Sequence, residues 1–281
     1  MTQIAGDARA TRDALPSEDV LAAAPPATYD RATVRDLLAA DGRRIDLPGL
    51  YNLRDVGGYP AAGGPIPWRT LFRSDALHQL DDTGIALLTA LGLRTIVDLR
   101  THVEAEIAPS PLDQLSARHA HVSLLGADLP DLPPRLEDVY AHIVGQCGVA
   151  IADAIRPLCA EGAFPALVHC SAGKDRTGIV VAMILAVAGV PDQIIAADYA
   201  LSGRYLDPTH TAAIGQLKAG TGLGDELTEE LLVSPPQLIL DVLASARDQH
   251  GSVDGYLLGH GLSPADLARL RAVLAGPRLA G

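Results

Sequence analysis

The chain has 281 residues, 48% apolar and only 20% charged, enough to bury a sizeable core and in the range of soluble globular proteins. A formal net charge of -12 excludes a broad electrostatic attraction to nucleic acid or to an anionic membrane, so any bound anion must meet a local cluster of cations. Three cysteines, Cys147, Cys159 and Cys170, are too few for a disulfide framework and form no CxxC pair, which argues against a zinc site and favours a reducing compartment.

In chain order, residues 1–30 are rich in Ala, Pro and charge without a sustained period and are expected to form a flexible tail ahead of a single domain over 31–281. The first twenty residues contain acids and no continuous apolar stretch, which speaks against a secretory or transit peptide and for a cytoplasmic location or non-classical export. A short helix is expected over Ala32 to Leu38, and the Gly/Pro-dense stretch Asn52 to Trp68 reads as turns. Leu93 to Leu99, His119 to Leu125 and Pro165 to His169 are short apolar runs of buried strand character. Helical periods cover Asp82 to Leu91, Leu136 to Ala160 with a break near Gly145 to Gly148, and Arg176 to Ala188. The alternation predicts an α/β fold, a central mainly parallel sheet flanked by helices. Pro191 opens a further helix, and Thr209 to Leu217, Asp225 to Leu232, Pro235 to Gln249 and Pro264 to Leu274 form a helical C-terminal extension. The longest apolar run, Ile179 to Val190, is well short of the ~20 residues a bilayer-spanning helix needs and reads as a buried helix, so no stable membrane insertion is expected.

The chemistry is concentrated in ALVHCSAGKDRTGIVVAMI, where a strand ends at His169-Cys170, a glycine-bearing loop follows, and a helix begins near Arg176. Five residues separate Cys170 from Arg176, so the loop can curl with its N–H groups inward while the positive end of the helix faces the same hollow. Such a hollow holds an anion and favours the nucleophilic thiolate. Ser171, Ala172, Gly173, Lys174, Thr177 and Gly178 are the expected substrate-binding positions, and the planar fork of Arg176 suits two phosphate oxygens. Thr177 is placed to hydrogen-bond the departing sulfur. A buried, inert Cys170 would leave His169, Gly173, Arg176, Thr177 and Gly178 in register without a reason. Cys147 and Cys159 lack such surroundings and read as packing residues. A nucleotide-binding GxxxxGK[ST] loop is excluded, since Val168 and Asp175 stand where it requires Gly and Ser or Thr.

HCSAGKDRTG resembles the HCxxGxxR[ST]G signature of the protein tyrosine phosphatase superfamily, and in particular the bacterial tyrosine/lipid phosphatase family. NLRDVGG from Asn52, LFRSDAL from Leu71, IVDLR from Ile96 with Glu104, DYALS from Asp198 and GSVDGYL from Gly251 carry the likeness from about residue 46 onward. The resemblance implies that Cys170 attacks phosphorus to form a phosphocysteine, that a carboxylic acid protonates the leaving oxygen, and that neither metal nor organic cofactor takes part. It implies phosphorylated protein or phosphoinositide as substrate, with Lys174 contacting phosphate, and 203–234 as a helical lid whose glycines allow hinge motion. No Trp-Pro-Asp loop supplies the acid. Asp175, in the Lys-Asp pair that the resemblance singles out, is the first choice, and Asp98, at the end of a parallel strand, the second. Asp128 and Asp131, on a Pro-rich loop, are further options, and Arg54 and Asp55 either line the pocket or brace the Gly57-Gly58 turn. A non-catalytic phosphate-binding module and a rhodanese-like sulfur transferase are the competing classes, against which stand an intact Cys170 and Arg176 and the Arg-Thr-Gly ending of the loop.

Overall fold

The computed structural model of the chain describes residues 30–40, 42–125, 133, 135–206 and 233–275. Asp128, Asp131, the helices expected over Thr209 to Leu217 and Asp225 to Leu232, and nearly all of the expected tail and lid lie outside the described residues.

Five strands form one sheet in the order β1-β2-β5-β3-β4: β1 is Arg54–Asp55, β2 Leu71–Ser74, β3 Thr95–Asp98, β4 Arg118–His121 and β5 Ala166–His169. All neighbours are parallel except β1 with β2. Helices α1 (Arg31–Leu38), α2 (Asp82–Ala90), α3 (His102–Ile107), α4 (Leu136–Gln146), α5 (Gly148–Ile155), α6 (Asp175–Ala188), α7 (Asp192–Ala200) and α8 (Ser202–Tyr205) follow in order. They are followed by α9 (Pro236–His250), α10 (Val253–Gly259) and α11 (Pro264–Leu274). The α/β reading of the sequence is thus what the chain adopts. The expected helix break appears at Cys147 between α4 and α5, and Pro236 and Pro264 sit in the first turns of α9 and α11, where a missing N–H costs nothing. Asp55 and Arg54 pair in β1 inside a stretch that read as turns only, because the apolar-run signal cannot detect a two-residue edge strand. β2 was likewise illegible as a strand, since LFRS carries a buried arginine where a core strand would show an aliphatic residue.

The two-residue side-chain period of the strands divides the interior into two cores. Leu71, Val97, Ala166, Val168 and Cys170 face a large cluster with α4 to α7 and α9 to α11, whereas Phe72, Ile96 and Leu167 face a smaller one with Leu77, Leu88 and Leu115. Helix α6 crosses the large core with every residue from Arg176 to Leu185 buried, which is why its sequence is apolar all round. Each fully buried Ile or Leu on it contributes about 1.5–3 kcal/mol of transfer free energy. It stops at Gly189, left-handed at φ 84°, where the glycine N–H closes on Leu185 and Ala186. Among the described residues no helix is long and apolar enough to cross a membrane.

Register decides where the chemistry collects. Ser74 pairs with His169, His169 with Asp98 and Asp98 with His121, so four parallel strands end level with one another. Asp75, Cys170 and the Asp98 to Thr101 turn therefore meet at one edge of the sheet, the edge where ligands bind in open α/β folds.

Candidate active site

Cys170 follows β5 directly and is buried, with the loop 171–174 curling from it into the N-terminus of α6. The loop's carbonyls are each tied outward. Ser171 O accepts from Ala76 N at 3.1 Å, Ala172 O from Asn52 Nδ2 at 2.9 Å, Gly173 O from Arg73 Nη2 at 2.9 Å and Lys174 O from Arg73 Nη2 at 3.3 Å. In a trans peptide the C=O of one residue and the N–H of the next point in opposite directions. Holding four carbonyls outward thus turns the N–H groups of Ala172, Gly173, Lys174 and Asp175 inward, beside the positive end of α6. Gly173 permits the curl: its φ is +66°, and a Cβ there would lie 2.2 Å from Ser74 O.

Arg176, the second residue of α6, is buried and gripped by Glu104 through Nη1 to Oε2 at 2.5 Å and Nη2 to Oε1 at 2.8 Å. Ser171 Oγ also donates to Glu104 Oε1, at 2.5 Å. Glu104 is itself placed by a capping box, since Thr101 N donates to its Oε2 at 2.8 Å and Glu104 N to Thr101 Oγ1 at 3.2 Å. Burial alone would raise the Glu104 carboxyl, but the Arg176 guanidinium holds it well below the usual carboxylate range; burial opposes the charge on Arg176 in turn, and the Glu104 carboxylate outweighs it and leaves Arg176 more firmly charged than usual. Glu104→Gln removes the anion from this fork. It is expected to lower kcat/KM for 4-nitrophenyl phosphate by ~10²-fold, the scale of a misplaced anchoring group. Steady-state rates that match the parent's would mean that Ser171 and the loop hold Arg176 unaided.

A second buried network supports the loop from below. Asp198, on α7, accepts from Arg54 Nε at 3.1 Å, Arg73 Nη1 at 2.8 Å and Tyr59 Oη at 2.9 Å. Arg54 also donates to Asn52 Oδ1 and, at 2.9 Å, to Ser202 Oγ. Asp55 accepts from Gly57 N at 2.7 Å and Arg69 N at 2.6 Å, so Arg54 and Asp55 both brace rather than line the hollow. Asp75 accepts from Tyr51 N and Asn52 N, each within 3.1 Å, and burial pushes its carboxyl up to about 7.

The candidate acids part company here. Asp98 is chelated by its neighbour, with Arg100 Nη2 at 2.6 Å and Nε at 3.0 Å, and stands 3.8 Å from His169 Nε2. Burial would raise its carboxyl, but His169 and Arg100 hold it down to about 2. Asp175 is the first residue of α6 and its Oδ1 accepts from Tyr140 Oη at 2.7 Å. Lys174 is buried rather than solvent-facing, with Nζ donating to Val233 O at 2.8 Å and 3.3 Å from Asp175 Oδ1. Thr177 Oγ1 is buried without a hydrogen-bond partner among the described residues. Gly178 lets α6 approach α7, since a Cβ there would lie 2.7 Å from the Tyr199 ring. Cys159 lies in the large core, raised to about 11 by burial. Among the described residues no three His, Cys, Asp or Glu side chains converge as a metal site.

The structure also assembles residues that sequence reasoning did not assign. Glu104 had a local signal, since Thr101-x-x-Glu104 is a capping box, but nothing local says that its carboxylate would reach Arg176 across 72 residues. Asn52, Arg73 and Asp198 lie in segments that carry the family resemblance, though nothing local gave them a role, and Tyr140 had no signal at all.

A strand-ending thiol, a loop with its amides turned inward and a clamped arginine at a helix start meet at one edge of a mostly parallel sheet, an arrangement suited to an anion. The model of the tyrosine phosphatase family matches residues 45–276, and the chain belongs to that family and is a protein-tyrosine/dual-specificity phosphatase. It is 32% identical over 278 residues to the triple specificity protein phosphatase PtpB of Mycobacterium tuberculosis, covering 82% of this chain and 99% of that one. It is 30% identical to a tyrosine-protein phosphatase of Nostoc commune, with 91% of each chain covered. Among solved structures, the catalytic core of Siw14 aligns with a TM-score of 0.38 at 16% identity, over 66% of this chain and 98% of that one.

Proposed function

We propose that the chain hydrolyses phosphomonoesters in two steps through Cys170, with phosphotyrosine as the principal substrate and phosphoserine or phosphothreonine and phosphoinositides as additional ones. The observation that carries this reading is the outward tethering of all four loop carbonyls from Ser171 to Lys174, which aims the amides at one point beside the thiol. Those amides meet the phosphate oxygens. Glu104 takes one hydrogen on each terminal nitrogen of Arg176, with longer contacts from Nη1 to Leu99 O at 3.4 Å and from Nη2 to Ser171 Oγ at 3.3 Å, and the Nε side of the guanidinium is the edge offered to phosphate.

In the first step the Cys170 thiolate forms the S–P bond as the P–O bond breaks, and Asp175 gives its proton to the departing oxygen. In the second, water attacks phosphorus, its proton passes to the Asp175 carboxylate, and the S–P bond breaks to release phosphate. Thr177 Oγ1, buried and without a partner among the described residues, is available to donate to the returning thiolate. Asp98 is assigned to orienting Arg100, because both of its carboxylate oxygens are already bonded to that guanidinium. The relative from M. tuberculosis bears a triple-specificity name, which supports breadth beyond phosphotyrosine.

Acid quenching within the first turnover of a radiolabelled phosphotyrosine peptide tests the route. Label is expected on the peptide containing Cys170, and initial rates should rank phosphotyrosine peptide above phosphoserine peptide and phosphoinositide vesicles. Turnover without labelled enzyme, at any substrate, would sink the phosphocysteine mechanism; lipid ranked first would sink the substrate assignment alone.

A further inference from the structure

Asp175 has surroundings that select which of its oxygens holds the proton. Among the described residues two donors reach the carboxylate and both land on Oδ1: Tyr140 Oη at 2.7 Å and Lys174 Nζ at 3.3 Å. Tyr140 rises from α4, and its oxygen lies 2.6 Å from Tyr199 Oη on α7, with the two rings edge to face. Burial, then the Asp175 charge, pushes both phenols up, so each keeps its one hydrogen. A carboxylate oxygen only accepts. Tyr140 therefore spends its hydrogen on Asp175, and the hydrogen between the two phenols comes from Tyr199. The chain of donors runs one way, from Tyr199 to Tyr140 to Asp175 Oδ1.

We infer that Tyr140, ordered by Tyr199, is a positioning residue for the general acid: it keeps Oδ1 an acceptor, so that the transferable proton sits on Oδ2, and it stabilises the carboxylate left after transfer. The inference rests on Asp175 being that acid. A packing role alone would need the ring and not the hydroxyl, and a buried hydroxyl costs about 1–3 kcal/mol unless it is bonded. The other charged or titratable groups around the carboxylate are Lys174 and Arg176 beside it in sequence, Cys170 in the loop, and Arg73 of β2, which faces Tyr199.

The test is the pH dependence of the first-turnover burst for parent, Tyr140→Phe, Tyr199→Phe and Asp175→Asn, with 4-nitrophenyl phosphate and with phenyl phosphate, whose leaving group needs the proton more. Asp175→Asn is expected to slow phenyl phosphate at least ~10²-fold more than the nitrophenyl ester and to abolish the alkaline limb. Tyr140→Phe keeps the limb and moves it upward by about one pH unit, because a carboxylate that loses a donor holds its proton more tightly and the acid form persists to higher pH. Tyr199→Phe moves it the same way by less, and serves as the test should Tyr140→Phe fail to fold. A selective loss in Asp175→Asn with an unmoved limb in the tyrosine variants, even at a uniformly lower rate, overturns the inference and leaves Asp175 as the acid. A loss in Asp175→Asn that is the same for both leaving groups overturns the acid and the inference together.

Discussion

Cys170→Ser is expected to lower turnover of 4-nitrophenyl phosphate by on the order of 10⁴-fold or more, a barrier increase of at least ~5.4 kcal/mol, while leaving the fold intact. The loop amides and the start of α6 point donors at this position, and a serine hydroxyl there is a weaker nucleophile that must lose its proton during attack. It would also be a poorer leaving group in the second step. The substitution is nearly isosteric in a position that is 2% exposed, so packing changes little, and inorganic phosphate should still bind the variant. Neither other thiol can replace it. Cys159 donates to Ile155 O at 3.6 Å in the core and is raised to about 11, and burial raises Cys147 as well. Steady-state rates without added metal, alongside thermal melts, decide the matter. A folded Cys170→Ser variant within tenfold of the parent would mean that the thiol is not the nucleophile.

Asp198→Ala is expected to destabilise the protein by ~3–5 kcal/mol, because it leaves two arginines buried without their anion. The side chains of Arg54 and Arg73 are 0% and 1% exposed, and both donate to this one carboxylate. Burial, with Arg54 close by, already pushes Arg73 down to about 10, while Arg54 and Arg73 hold the Asp198 carboxyl far below its usual range against the opposing effect of burial. Against a total of ~5–15 kcal/mol for a typical domain, the loss is large enough to read directly as a fall in the urea midpoint. Activity should fall with it even where the variant is folded, since Arg73 also holds the carbonyls of Gly173 and Lys174. Asp198→Asn, which keeps an acceptor but not the charge, should fall between the two. A midpoint within experimental error of the parent's would show that the arginines find other partners or water.

The features legible in the amino-acid order are those built from local interactions. Cys170, Arg176, Thr177 and Gly173 were legible because strand end, loop and helix start are contiguous, and a 14-residue apolar helix on one side of the loop makes its direction unambiguous. The α/β class was legible for a related reason: short apolar runs alternating with helical periods leave a parallel sheet as the economical arrangement. The break at Cys147 and the proline starts of α9 and α11 follow from backbone chemistry that acts within a few residues. Lys174, expected from its place in a polar loop to contact phosphate, is 1% exposed with its Nζ bonded to Val233 O, 59 residues away, a partner that no local signal announces.

By itself, then, the amino-acid order picked out the candidate nucleophile and arginine, the loop between them and the layered fold, all of which depend on spacing along one stretch of chain or on a hydrophobic period. Only the tertiary structure decided what holds the cradle in shape: Glu104 on Arg176, Asn52 and Arg73 on the loop carbonyls, Asp198 beneath them, and the Tyr199 and Tyr140 hydroxyls on Asp175. It also gave the two leading candidate acids different partners, Arg100 for Asp98 and Tyr140 for Asp175. The physical reason is that a hydrogen bond or ion pair is satisfied by whatever the fold brings within about 3 Å, and that distance carries no trace in the one-dimensional pattern.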